Sequence, residues 1–220
     1  MKVTYEQIKQ DPCINTYIRQ ADESMRAMGF TEHSFAHVTK CAQIASRLLS
    51  DLEYSEREVE LARIAGYLHD IGNVINRNDH AHSGALMAFR LLDKLGMPPE
   101  DVAEVITAIG NHDEHTAFPV NAVAAALILA DKSDVRRSRV RNQDTIRFDI
   151  HDRVNYAVER ADLELDREAK SVTLSIDIDT EICAVMDYFE IFTTRMLLCR
   201  KAAEFFGLRF RLCINNAVIL

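Results

Sequence analysis

Residues 61–72 read LARIAGYLHDIG, and this stretch sets the fold. Leu61, Ile64, Ala65 and Leu68 recur at three- and four-residue intervals, which makes one face of a helix apolar. The apolar run then meets His69-Asp70 and closes at Gly72, so a buried helix ends on two side chains able to ligate a metal. Upstream, Ser55 and Glu58 have the spacing of a capping box that opens this helix. The stretch from about His33 to Leu49 carries the same periodicity and predicts the helix before it. Downstream, helical spacing runs from about Ser83 to Leu95, stops at Gly96, and resumes at Pro98-Pro99 until about Asn111. Proline suits a first helical turn and glycine suits the residue just past a last one. From about Asn121 the chain is apolar on every side through Ala130 and turns charged at Asp131, the pattern of a helix buried in a core.

The pattern changes after Arg141. Leu163, Leu165, Val172, Leu174, Ile176 and Ile178 alternate with polar residues around the REAK loop at 167–170, which predicts a hairpin with one wet face. Helical spacing returns from Glu181 to Phe206, and the alternating run from Leu208 to Ile214 is able to join the hairpin. The expected fold is therefore mainly α, a helical bundle with a small C-terminal α+β appendage. We place the helical metal-binding domain at residues 1–144 and the appendage, packed on it, at 145–220. The 220 residues carry 26 Lys plus Arg against 34 Asp plus Glu, a formal charge of −8 that argues against general nucleic-acid binding. The longest apolar run, Ala122 to Ala130, is about half of the ~20 residues a bilayer span needs. No apolar signal segment opens the chain, so the expected location is cytoplasmic. Five cysteines without a CxxC pair read as reduced, small core residues.

The polar residues of the helical part are chiefly His and Asp at helix ends. His37, His69, Asp70, His80 or His82, His112 and Asp131 come from five segments, and an Asp at the end of an apolar helix is costly to bury without a partner. Together they could hold two divalent transition metal ions. A nitrogen and oxygen set without thiolate suits Fe or Mn first, with Zn, Co, Ni or Mg as alternatives.

The order H…HD…H…H…D resembles the HD-domain superfamily of metal-dependent phosphohydrolases over about residues 30–140. His37 with Cys41, Ala42 and Ala45 is similar to the family's opening helix, and His69-Asp70 to its name-giving pair. HAHSGA, with its ligand four residues before Gly, selects His80. AIGNHDE selects His112 and ILADKSD selects Asp131. The resemblance implies hydrolysis of a phosphoester or phosphoanhydride in a small phosphorylated substrate, a nucleotide above all, with Asp70 bridging the ions. Asn73 stands where many members have Lys and is the second catalytic candidate, since its amide can hydrogen-bond a phosphate oxygen. Asp113-Glu114 follow His112 where members that cleave cyclic dinucleotides have His-Glu and a GYP turn, which argues against cyclic di-GMP. Two rival readings stay open, a di-iron oxygenase on the same ligand set and a non-catalytic binding module held by metal.

Arg136 and Arg137, in the basic cluster KSDVRRSRVR after Asp131, are candidates to clamp a substrate phosphate through their forked donors. His33 and His82, a helical turn from or beside the proposed ligands, are candidates to touch substrate, whereas His115 and His151 read as surface residues. Met186, Phe189, Phe192, Met196 and Leu197 form an apolar stripe on the last helix that implies core packing or a seam between copies. A homo-oligomer is expected.

Overall fold

A computed structural model describes residues 2–114, 116–141 and 149–220. The boundary placed at 144–145 and His115 lie outside the described residues. Helices α1 (Tyr5–Gln10) and α2 (Pro12–Ala27) precede α3 (Phe35–Asp51), α4 (Glu56–Leu68), a 3-10 turn at Ile71–Val74, α5 (His80–Lys94), α6 (Pro99–Gly110) and α7 (Ala122–Lys132). Both Thr4 with Gln7 and Ser55 with Glu58 close capping boxes, and Asn121 caps α7 through its side chain. Each cap satisfies backbone donors that the first helical turn leaves unpaired. All of α7 except Asp131 is buried. The bundle packs α3, α4 and α6 around it, with α5 lying on α6.

The C-terminal part opens with α8 (Ile150–Ala157), which runs into β1 (Val158–Asp166), β2 (Ser171–Ile178), α9 (Val185–Phe205), β3 (Arg209–Ile214) and β4 (Ala217–Val218). The four strands pair in chain order. β1 and β2 form the expected hairpin, with Leu163 opposite Leu174 and Leu165 opposite Val172. β3 joins β2 in parallel, because α9 carries the chain back to the sheet's starting end. Val172, Leu174 and Ile176 point inward beside Phe210, Leu212 and Ile214, and they belong to the same hydrophobic core as α7. On α9, Phe192 and Met196 are buried while Met186 and Leu197 are exposed. No helix among the described residues is long and apolar enough to cross a membrane.

Several elements differ from the sequence reading: β4 was not expected, and α9 begins at Val185 instead of Glu181. α5 begins at His80, three residues before the expected Ser83, because Asp79 takes a left-handed turn (φ 57°) that starts the helix on the histidine itself. α8 was not expected, since its eight residues are too few to establish a period and its buried side carries Asp152 and Asn155 beside Val154 and Ala157.

Candidate metal centre

The ends of five helices meet at one point. His37 lies in the first turn of α3, His69 caps the C-terminus of α4, and Asp70 follows it directly. His80 opens α5, His112 comes just after α6, and Asp131 lies in the last turn of α7. The close approach of backbones sets this convergence. A methyl group at Gly72 would meet the His80 carbonyl at 2.1 Å, so only glycine lets the His69-Asp70 turn lie against the start of α5.

Each histidine presents the same nitrogen to the centre. His69 Nδ1 lies 2.9 Å from the Gly66 carbonyl, His80 Nδ1 3.0 Å from that of Arg77, and His112 Nδ1 2.6 Å from that of Ile109. A carbonyl accepts only, so Nδ1 carries the proton and Nε2 keeps its lone pair. His37 Nδ1 is fixed instead by the Asp134 carboxylate at 2.8 Å. The inward nitrogens then crowd together, His37 Nε2 being 3.3 Å from His69 Nε2 and His80 Nε2 3.2 Å from His112 Nε2. Facing lone pairs at this separation repel unless a proton or a cation lies between them. An ion that holds nitrogens at about 2.0–2.1 Å sets neighbouring ligand atoms roughly 3 Å apart, which these spacings match.

The carboxylates divide the centre into two halves. Asp70 Oδ2 lies 3.4 Å from His37 Nε2 and 3.3 Å from His69 Nε2, and Asp131 Oδ1 lies 3.4 and 3.7 Å from the same two atoms. Asp70 Oδ1 lies 3.5 Å from His80 Nε2 on the other side. Asp70 Oδ2 is buried and has no hydrogen-bond partner among the described residues, a state that is expensive unless something cationic is bound. Asn73 Nδ2 donates to Asp70 Oδ1 at 2.9 Å and steers the carboxylate.

Protonation favours metal binding. Burial alone would raise Asp70 and Asp131, but neighbouring His69 for the one and Lys132 for the other hold both well below the carboxylate range. Burial pushes His80 and His112 down, which keeps them neutral ligands. Burial opposes charge on His37 as well, yet Cys41, Asp131 and Asp134 outweigh it and hold its pKa well above the usual value. A proton on His37 would lie in the half with most carboxylate, and that is the positive charge a dication would displace. The residues fit a divalent cation. His37, His69 and Asp131, with Cys41, form one set able to hold an ion, and His69, Asp70 and His112 another.

A cavity of about 350 Å³ opens onto Asp70, His80 and Asp131. His33 and Asp113 line it. So does His151, taken from sequence as a surface residue. The other substrate candidates lie elsewhere. His82 is exposed beside Asp79, because it falls on the outer face of α5. Arg136 is held by Glu32 at 2.8 Å and Asp134 at 3.0 Å. Arg137 donates to the Tyr156 carbonyl at 2.6 Å and stacks on the Tyr156 ring. Neither arginine lines the cavity, since α8 and the loop before α3 draw both away from the metal side. Asn73 is fully buried with its amide donor committed to Asp70, so it positions the carboxylate and does not reach the cavity.

The cations that do line the cavity are Arg77, Lys132, Arg139 and Arg195. Sequence reading missed Arg77 and Arg195 as site residues, and it counted Lys132 and Arg139 only as members of the basic cluster after Asp131. It also missed Asp134, whose place three residues after Asp131 was the available signal. Cys41, read as a core residue, has its sulfur 3.7 Å from His37 Nδ1.

The family model described as HD domain matches residues 34–190, well beyond the helical part. Among curated proteins, Uncharacterized protein MJ1020 of Methanocaldococcus jannaschii is 21% identical over 203 residues, which cover 82% of this chain and 78% of that one.

Proposed function

The chain belongs to the HD-domain family, and from that premise we propose that it hydrolyses a phosphoester or phosphoanhydride of a small molecule, a nucleotide above all, with two divalent ions, Fe or Mn, in the centre. The observation that carries the reading is the set of inward Nε2 atoms crowded around the Asp70 carboxylate, whose buried Oδ2 has no hydrogen-bond partner among the described residues. His37, His69 and Asp131 would hold one ion and His80 and His112 the other, with Asp70 shared between them. Bound there, such ions supply Lewis acidity that lowers the pKa of water and neutralises charge developing on the phosphoryl group.

The protein's own residues do the rest. Asn73 keeps Asp70 turned between the halves, and Asp134 keeps His37 turned inward. Lys132, 2.7 Å from Asp131 Oδ2, and the apolar walls of Met25, Phe30 and Phe192 shape the cavity around the substrate. In the reaction the water oxygen bonds to phosphorus, the bond from phosphorus to the leaving oxygen breaks, and the leaving oxygen takes a proton.

The test is elemental analysis of aerobically and anaerobically purified protein, followed by a phosphate-release screen over nucleotides. We expect transition metal in the protein, phosphate release independent of oxygen, and loss of both metal and turnover when His69 and Asp70 are both replaced by Ala. Metal content unchanged in that double variant, or turnover that requires oxygen, would reject the reading.

A further inference from the structure

The arginine at position 77 differs from every other cation of the cavity in what holds it. Lys132 lies 2.7 Å from the Asp131 carboxylate, and Arg195 is paired with Glu114. Arg139 donates to the carbonyls of Glu32 and Asp134 at 2.9 and 2.8 Å. Arg77 has no carboxylate oxygen nearer than Asp70 Oδ1 at 3.9 Å among the described residues. Its Nη1 makes only long contacts, 3.4 Å to Asn73 Oδ1 and 3.3 Å to the lone pair of His80 Nε2. A guanidinium that has five donors and is three-quarters shielded is rarely left so poorly matched. Its side chain is 27% exposed, and it lines the cavity.

Its place is fixed by the centre itself. The Arg77 carbonyl accepts from His80 Nδ1 at 3.0 Å, so the backbone of Arg77 moves with the ligand ring. The guanidinium thus lies at the half of the centre formed by His80, His112 and Asp70 Oδ1. Lys132 lies at the opposite half, beside Asp131.

We propose that Arg77 is the anion-binding residue of this site and grips the non-bridging oxygens of the substrate's phosphoryl group with its forked donors. The inference rests on the hydrolase reading for the identity of the anion. A divalent ion at His80 would take the Nε2 lone pair and repel the guanidinium toward the cavity. There a tetrahedral dianion accepts two of its N–H donors side by side.

Inorganic phosphate is the probe, titrated calorimetrically into Mn-loaded protein, with metal content measured on each sample. Arg77→Ala should weaken phosphate binding by about tenfold or more with metal content unchanged, since charge-assisted hydrogen bonds to the anion are lost. Arg77→Lys, which keeps charge but loses the fork, should fall between. Arg200→Ala, on the exposed face of α9, serves as the control and should bind phosphate like the parent. Should the Ala variant fold poorly, Arg77→Gln keeps the bulk and the same loss is expected. Equal phosphate affinity in parent and Arg77 variants would overturn the proposal, as would absence of phosphate binding to the parent. A gain of one metal equivalent in Arg77→Ala would overturn it too, because Arg77 would then be standing in for an ion. Phosphate binding that depends on Arg77 without turnover of any phosphoester would sink the hydrolase reading alone.

Discussion

Asp134 is fully buried and receives His37 Nδ1 at 2.8 Å, with Lys40 and Arg136 each 3.0 Å from its other oxygen. His37, Arg139 and Lys40 hold its pKa far below the carboxylate range against the opposing effect of burial. A carboxylate behind a ligand imidazole fixes the ring and raises its basicity, and losing such a partner weakens metal binding about 10- to 100-fold. Asp134→Ala should therefore lower metal affinity by that factor in a chelator competition, with a smaller fall for Asp134→Asn. Undiminished affinity in both would leave Asp134 as a mere counter-ion for Arg139. At this scale the sequence was legible where residue types are rare at helix ends. The six ligand candidates, drawn from five segments, converge in the structure because each stands at or beside a helix end, His37 and His80 at N-terminal ends and the others at C-terminal ones. It was not legible where direction matters. The basic cluster at 136–141 was visible as charge, but only packing shows that Arg136 turns back to Glu32 and Asp134. Arg77, a lone arginine in a polar loop, carries no pattern at all.

Helices α3 and α4 approach so closely that a methyl group at Gly66 would lie 2.7 Å from the Cα and backbone nitrogen of Ala42. Backbone atoms cannot rotate aside, so Gly66→Ala must push the two helices apart. His37 and His69 sit one on each helix, with Nε2 atoms 3.3 Å apart. The variant should lose about 1–3 kcal/mol of stability through overpacking and also lose metal affinity, though no ligand is changed. A second substitution, Ala42→Gly, should not restore either property, because the obstructing atoms are not side chain. Wild-type metal affinity in Gly66→Ala, or rescue by Ala42→Gly, would contradict this account. Element boundaries were readable wherever a cap or breaker has a chemical cause, as at Ser55, Gly96 and Pro98-Pro99. The parallel pairing of β2 with β3 was not, since alternation marks a strand without saying which neighbour it takes.

The bundle and the sheet share one hydrophobic core, and α9 packs directly on α7. The all-round apolar sequence of α7 foretold its burial but not that residues past 180 would cover one of its sides. A chain ending at residue 141 should consequently be insoluble or unfold without a cooperative transition, even though every ligand candidate remains. A soluble, cooperatively melting fragment would show that the helical part stands alone. The metal should act at the same scale, because ligands from α3, the α4 end, α5, the α6 end and α7 are far apart in the unfolded chain. An ion that binds only the folded form stabilises it by ~4 kcal/mol at a thousand times its Kd. A chain of this length shifts by roughly 2–4 °C per kcal/mol, so chelation should lower Tm by about 10 °C. Calorimetry of loaded and chelated protein measures this directly. The double Ala variant at His69 and Asp70 should melt at one temperature whether metal is added or withheld. An equal Tm for loaded and chelated parent protein would mean that the crowded imidazoles are held by the fold alone, and the case for a resident cation would fall with it.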